Sequence, residues 1–177
     1  MSLLTAAKAR YAAWATSARR QARINLQAHL RGDFQLAEWS NRTAEAYATQ
    51  WSLADRRPNG GWDWPEIQRK YKTDPSKFDI VVWAPENRLC CLALATTTAA
   101  AVILNFLEGD PRKDCPFRGV RTLIVLEAIQ CYGQATGRRE IRVEPVNDAL
   151  ETVYREIYGF ALVTPKGGSA YYRREIV

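Results

Sequence analysis

The sequence is poor in the residues that build metal sites. It has one histidine, His29, and four cysteines, at 90, 91, 115 and 131. No pair of them has the spacing of a zinc half-site, so neither a metal nor a disulfide framework is expected, and a reducing, cytoplasmic compartment fits. Cys90 and Cys91 are adjacent in a β-rich run, where alternation sends them to opposite faces as small core residues rather than a redox pair. Long apolar runs are missing too. The longest, 89–107, is broken by Thr96, Thr97, Thr98 and Asn105, which reads as two sheet strands and not as a membrane span. Repeats, low-complexity tracts and linkers are also lacking, and 177 residues, 47 % of them apolar, suffice for one core. A single domain over 1–177 is expected.

No acid precedes Asp33, whereas Lys8, Arg10, Arg19, Arg20, Arg23 and Arg31 all do. The rest of the chain holds 19 basic and 19 acidic residues, so the net charge of +6 belongs to the N-terminal segment. Small or apolar residues at Leu3, Leu4, Ala7, Tyr11, Trp14, Ala15 and Ala18 recur with helical spacing and predict a basic amphipathic helix over 1–21. Such a start also has the composition of an organelle-targeting peptide. Lys8, Arg19 and Arg23 cluster on one face, which offers contacts to RNA or another polyanion; the plainer reading of the same residues is a solvated face.

The period then changes. Ile24, Leu26, Ala28 and Leu30 alternate with polar neighbours and predict a strand ended by Gly32-Asp33, with His29 on its polar side. A helix over 34–54 is stopped by the turn 57–61, and a short helix follows with Asp63 as its cap, Pro65 in its first turn and Glu66 as the matching acid. Strands are expected at 78–84, 89–96 and 99–107, the first two joined by a hairpin-like turn at 85–88. A helix over 118–136 ends at Gly137. A strand over 141–145, a helix opening at Asn147 or Asp148, and a closing hairpin of 160–164 with 169–176 complete the chain.

The stretch from Asn105 to Phe160 carries the chemistry. A strand leads into a loop and a helix start surrounded by Arg112, Lys113, Arg118 and Arg121, and free amides at a helix start attract anions. Order and residues here resemble the GNAT N-acetyltransferase superfamily, over 78–172. The resemblance rests on Asp79-Ile80-Val81-Val82-Trp83, Leu107-Glu108-Gly109-Asp110-Pro111, Arg118-Gly119, Pro145-Val146-Asn147 and the terminal Tyr-Gly-Phe, with Gly60-Gly61-Trp62-Asp63-Trp64-Pro65 upstream similar to some bacterial members.

The resemblance implies an α/β (α+β) fold, with a mixed, mostly antiparallel, splayed sheet flanked by helices and an extra N-terminal helix. It implies an acyl-CoA-dependent N-acyltransferase, using acetyl-CoA as co-substrate and no metal, whose fourth and fifth strands part around the pantetheine arm. Backbone amides of Arg118, Gly119, Val120 and Arg121, with Arg112 and Thr122 in the same loop, would hold the pyrophosphate. Asn147 would lie beside the pantetheine. The acceptor is an amine: a small molecule, a protein amine or an aminoacyl-tRNA. A homodimer is one assembly left open.

For direct attack on the thioester, Glu108 takes the ammonium proton directly or through water, the Leu107 amide binds the carbonyl oxygen, and Tyr154 protonates the thiolate. Glu144 is the second base candidate, Tyr158 the reserve acid, and Trp62 and Trp64 candidates for the acceptor side. Plainer readings stand beside these: Glu108 as a turn carboxylate, Tyr154 as core, Asn147 as a helix cap. The chain also departs from the family pattern. Pro116, Gly119 and Arg121 fall on its three loop positions, so only the middle glycine is kept, and Arg121 is either a block or a charged clamp. Cys91 stands in place of a strand glycine, and Tyr158 makes the last tyrosine-to-glycine spacing one residue longer. These departures support the alternative of a catalytically silent binding protein of the same fold.

Overall fold

The computed structural model describes residues 2–51 and 61–177. Seven strands form one sheet in the order β1-β2-β3-β4-β5-β7-β6, comprising β1 (Gln35–Ala37), β2 (Phe78–Ala84), β3 (Arg88–Thr97), β4 (Ala101–Gly109), β5 (Glu140–Val143), β6 (Ala161–Val163) and β7 (Tyr171–Glu175). Among the described residues only β4 and β5 pair in parallel. The β2–β3 turn places Glu86 and Asn87 at φ 62° and 59°, the left-handed pair that a tight hairpin requires.

Helix α1 (Leu3–Gln27) and helix α4 (Arg121–Thr136) lie together on one face of the sheet. Helices α2 (Asn41–Gln50) and α3 (Trp64–Lys70) cover the other, where Trp51, Trp64, Trp83, Leu89, Leu92 and Leu94 form the second core. Ser40 and Thr43 close a reciprocal capping box on α2, and Asp63 accepts from the Glu66 N–H to start α3, so that each helix start satisfies orphan donors with side-chain oxygens. The stop expected at 57–61 lies mostly outside the described residues, as does Ala54.

The N-terminal expectations need correction. Helix α1 runs on to Gln27, and no strand forms over 24–30. Ala15, Ala18, Ala22 and Leu26 are one buried stripe at helical spacing; the small alanines let α1 approach α4 closely. Ile24, which a half-buried strand would cover, is 58 % exposed. A short run matches both periods, and packing on α4 chose the helix. The first strand is instead Gln35–Ala37, inside the expected 34–54 helix, because it pairs with the edge of β2 from Gln35↔Trp83 to Ala37↔Val81.

The polyanion reading of α1 also meets an obstacle. Arg19 is buried, donating through Nε to the Asp79 carbonyl at 2.9 Å, with its guanidinium 5.2 Å from the Phe78 ring centroid. Arg23 donates to the Phe34 carbonyl at 2.8 Å and to Asp33 at 3.0 Å. Of the three basic groups, Lys8 is exposed. Arg19 staples α1 to β2, and the half-exposed Arg23 ties it to the segment before β1.

Candidate functional site

Strand β4 changes partners along its length. Its pairing with β5 runs from Ala101↔Glu140 to Leu104↔Val143 and stops there, while its pairing with β3 continues to Cys91↔Gly109. The second half of β4 therefore has one open edge. The shift between Leu94↔Phe106 and Ala95↔Leu104 makes Asn105 an extra residue, a β-bulge of the kind that bends a strand and ends its pairing. The Asn105 side chain donates to Thr96 Oγ1 at 2.8 Å and to the Ile103 carbonyl at 3.2 Å, fixing the distortion. An asparagine inside an apolar strand was the visible sign of this bulge, and its part in opening the sheet is missed by sequence reasoning.

The ladder also decides which amides face the opening. The Asp110 N–H donates to the Cys90 carbonyl at 2.9 Å, and antiparallel bonding alternates from that point. Leu92↔Glu108 and Leu94↔Phe106 are then the bonded pairs, and the amide and carbonyl of Leu107 turn toward the gap between β4 and β5. A cleft occupies this gap, lined by residues of β4 (Leu104, Asn105, Phe106, Leu107), by Val143, Glu144, Pro145 and Val146 at and after the end of β5, and by Trp62, Leu150 and Tyr154. Leu107, Glu144, Trp62 and Tyr154 are thus brought together from four separate stretches of chain.

Tyr154 reaches the cleft through a local irregularity. After α5 (Asp148–Thr152), residues Val153–Ile157 form a π-helical turn closed by the bond from the Tyr158 N–H to the Val153 carbonyl. That turn absorbs one residue more than an α-turn would, which offsets the longer tyrosine-to-glycine spacing in the sequence. Tyr154 is 6 % exposed, with its ring edge-on to Phe160 at 5.4 Å. Its hydroxyl makes no hydrogen bond to any described residue, yet it is not sealed from solvent. Burial, with smaller contributions from Cys91 and Tyr158, pushes its pKa up to about 12. Burial likewise raises Tyr158, whose ring centroid is 6.4 Å from that of Tyr154.

Glu108 is differently employed. It is 8 % exposed, and its Oε2 accepts from the Trp62 N–H at 2.8 Å and from the Trp64 indole at 3.3 Å. The plainer expectation of an exposed turn carboxylate is therefore corrected, because Glu108 lies beneath the Trp62 segment. The Tyr47 hydroxyl donates to the Trp62 carbonyl at 2.8 Å, and Trp62 meets Phe106 edge-on at 4.9 Å. Trp62 thus forms a wall of the cleft, whereas Trp64 is a core residue at 1 % exposure. Asn147 caps α5, accepting from the Leu150 N–H at 2.9 Å.

Below β4, the loop 110–120 leads to α4, which begins at Arg121 and not at Arg118. Two of the expected phosphate donors are used inside the loop, since the Arg118 N–H donates to the Cys115 carbonyl and the Val120 N–H to the Phe117 carbonyl, both at 3.1 Å. Val120 caps α4 without a side-chain bond. The N–H groups of Gly119, Arg121, Thr122 and Leu123 meet no acceptor among the described residues. Gly119 holds φ 90° with open space where a side chain would stand, a conformation that favours glycine. The cationic surround is reduced to fewer groups. Asp110, whose side chain is wholly buried, accepts from Arg112 Nε and Nη2 at 2.9 Å each and pairs with Arg88 at 3.0 Å. Arg121 donates to the Asp110 carbonyl at 2.8 Å and lies where a Cβ on Gly109 would be. Arg118, Lys113 and Gly119 remain exposed.

A larger groove of about 470 Å³ lies elsewhere, between α1 and β1, lined in part by Arg19, Arg20, Arg23 and Glu38. The heads of Arg19 and Arg23 are already bonded there, and the groove shares no residue with the β4–β5 cleft. Among the described residues no helix is long and apolar enough to cross a membrane.

No protein-family model matches the chain, and no curated protein matches it by sequence. Solved structures do. An acetyltransferase from Thermus thermophilus is 14 % identical over 83 % of this chain and 99 % of its own, with a TM-score of 0.58. A GNAT-family acetyltransferase from Staphylococcus aureus is 9 % identical over 82 % and 100 %, at 0.57. The PaiA N-acetyltransferase of Thermoplasma acidophilum, solved in complex with coenzyme A, is 14 % identical over 81 % and 99 %, at 0.52. The fold, an open, mostly antiparallel sheet flanked by helices, is that of the GNAT acetyltransferases.

Proposed function

We propose that the chain is an acyl-CoA-dependent N-acyltransferase, transferring an acetyl group to a primary amine by direct attack on the thioester. The observation that carries this reading is the parting of β4 and β5 after Leu104 and Val143, with the Leu107 amide on one wall and Tyr154 on the other. A gap between parted strands is where a linear thioester arm would enter, and the T. acidophilum neighbour of the same fold is a coenzyme A complex. The acyl carbonyl oxygen accepts from the Leu107 N–H, which is preorganised by the β3 ladder for the charge that develops there. The amine nitrogen attacks the carbonyl carbon, the C–N bond forms and the C–S bond breaks. Tyr154 gives its proton to the departing thiolate, a role suited to a phenol that burial keeps protonated. Glu108 holds the Trp62 wall in position, and Glu144, on the same opening, takes the proton of the ammonium. The pyrophosphate is held by the unpaired amides of Gly119, Arg121 and Thr122 with Arg118 beside them, and Asn147 borders the pantetheine while capping α5.

The commitment of Arg112 and Arg121 to Asp110 favours a second reading, a catalytically silent protein of this fold. Calorimetric titration with acetyl-CoA separates the two: measurable heat and a thermal shift are expected, and their absence at millimolar ligand would leave the silent protein. Tyr154→Phe is expected to lower turnover about a hundredfold with acetyl-CoA affinity unchanged; unchanged turnover would reject the proton-donor assignment.

A further inference from the structure

Cys90 and Cys115 are far apart in sequence and together in space. Their sulfurs and a carboxylate oxygen of Asp110 all lie within 4.8 Å of one another. A bulge brings this about: β2 and β3 pair as Val82↔Cys91 and then Trp83↔Leu89, so Cys90 is the extra residue. Bulges re-aim side chains, and Cys90 joins Cys91 on the α1–α4 side of the sheet instead of facing away from it. Cys115 sits in the loop 110–120, 5 % exposed between the exposed Asp114 and Pro116. The neighbouring Cys90 thiol, the Phe117 N–H and the Arg121 guanidinium hold the Cys115 thiol below its ordinary pKa, whereas the nearby Cys115 and burial hold Cys90, which donates to the Arg88 carbonyl at 3.7 Å, above its own. One sulfur is thus the better nucleophile and the other keeps its proton.

The same three groups form a potential ligand set for a thiophilic cation. Asp110 argues against it. Its oxygens already accept from both Arg88 and Arg112, and an incoming cation would meet two guanidinium groups on its carboxylate ligand. A disulfide needs only the two sulfurs.

We propose that Cys90 and Cys115 are a peroxide-oxidisable pair that closes to a disulfide and ties the loop 110–120 to β3. The Cys115 thiolate attacks one oxygen of the peroxide; the S–O bond forms, the O–O bond breaks, and the leaving hydroxide takes a proton as water. Cys90 then attacks the Cys115 sulfenic sulfur; the S–S bond forms, the S–O bond breaks, and the second hydroxide leaves with the Cys90 proton. Two thiols and one peroxide give one disulfide and two waters. The inference stands on the thiol geometry and does not depend on the acyltransferase reading.

The test uses the full chain, reduced, exposed to hydrogen peroxide, alkylated and digested without reductant. Mass spectrometry should find the Cys90 and Cys115 peptides joined and two hydrogens lighter than the separate thiol peptides, with Cys91 and Cys131 alkylated. In Cys90→Ser the reaction should stop at a Cys115 sulfenic acid, trapped by dimedone, and Cys115→Ser should leave Cys90 unoxidised. Trypsin cleavage after Lys113 and Arg118 should slow at least about threefold on oxidation, because opening of the loop governs access. All four thiols alkylated after peroxide, or Cys131 oxidised first, would overturn the proposal. So would stoichiometric binding of added zinc that withdraws both thiols from the reduced protein, since the cluster would then be a metal site.

Discussion

Two arginine-bearing regions, helix α1 and the loop that precedes α4, dispose of their cations differently. In α1, with no acid before Asp33, Arg19 and Arg23 send their Nε donors to the main-chain carbonyls of Asp79 and Phe34. In the loop, one buried carboxylate, Asp110, gathers Arg88 and Arg112, and its main-chain carbonyl takes Arg121. A guanidinium has five donors and seeks planar acceptors. Where acids are scarce it uses carbonyls and fastens one element to another; where a carboxylate is at hand it builds a network. Neither use leaves those charges for a ligand, and what the loop still offers an anion is backbone amide, Lys113 and Arg118.

This contrast can be broken at its strongest point first. Asp110→Ala removes the shared acceptor, leaving Arg88 with Asp114 at 2.7 Å and Arg112 with no carboxylate at a partly buried site, so urea denaturation should show a loss of about 3 kcal/mol. A loss under about 1 kcal/mol would mean that the network does not anchor the loop. Arg19→Met keeps most of the stem and removes the bond to Asp79, for an expected loss of about 1.5–3 kcal/mol, against about 0.5 kcal/mol or less for the exposed Arg20→Met. Equal effects in these two variants would return α1 to the status of a solvated basic face.

Burial controls protons as well as charges. Tyr154 has its pKa raised from 10.0 to about 12, so the folded chain retains a proton that the unfolded chain releases. Its contribution to stability is full below pH 10 and is lost as pH rises toward 12. At about pH 11 the loss should be about 1.4 kcal/mol and absent from Tyr154→Phe, as read by comparing denaturation of the two proteins at about pH 8 and about pH 11. The smallest effect belongs to Arg118. Arg118→Ala should change stability by no more than about 0.5 kcal/mol and weaken coenzyme A binding about threefold, with a shallower salt dependence. Unchanged affinity would leave the amides and Lys113 to bind phosphate.

Much of the fold was legible because it is written locally. The capping residues Asp63 and Asn147, the Glu86-Asn87 turn, Gly137 at φ 68° and the all-buried β2 each follow from a few neighbouring residues. The candidate site was legible at Leu107, Tyr154 and Gly119, which occupy the expected strand, helix and loop. Cys90 was misjudged, because a bulge inverts the alternation from which its direction was inferred, and the bulge at Asn105 was missed. Glu108 was named for chemistry, but its carboxylate meets Trp62 and Trp64 only once the chain has folded over β4.

Sequence alone determined the order of most elements, the sheet-rich centre and the helix start beside a basic loop, since periodicity, caps and turn residues act over a few positions. Tertiary structure alone decided where α1 ends, which arginines are free, that β5 leaves β4 at Leu104, and that Cys90 meets Cys115. Each of these depends on a partner distant in sequence, whose hydrogen bond or packing outweighs a local preference of about a few tenths of a kcal/mol, an order of magnitude typical of such preferences.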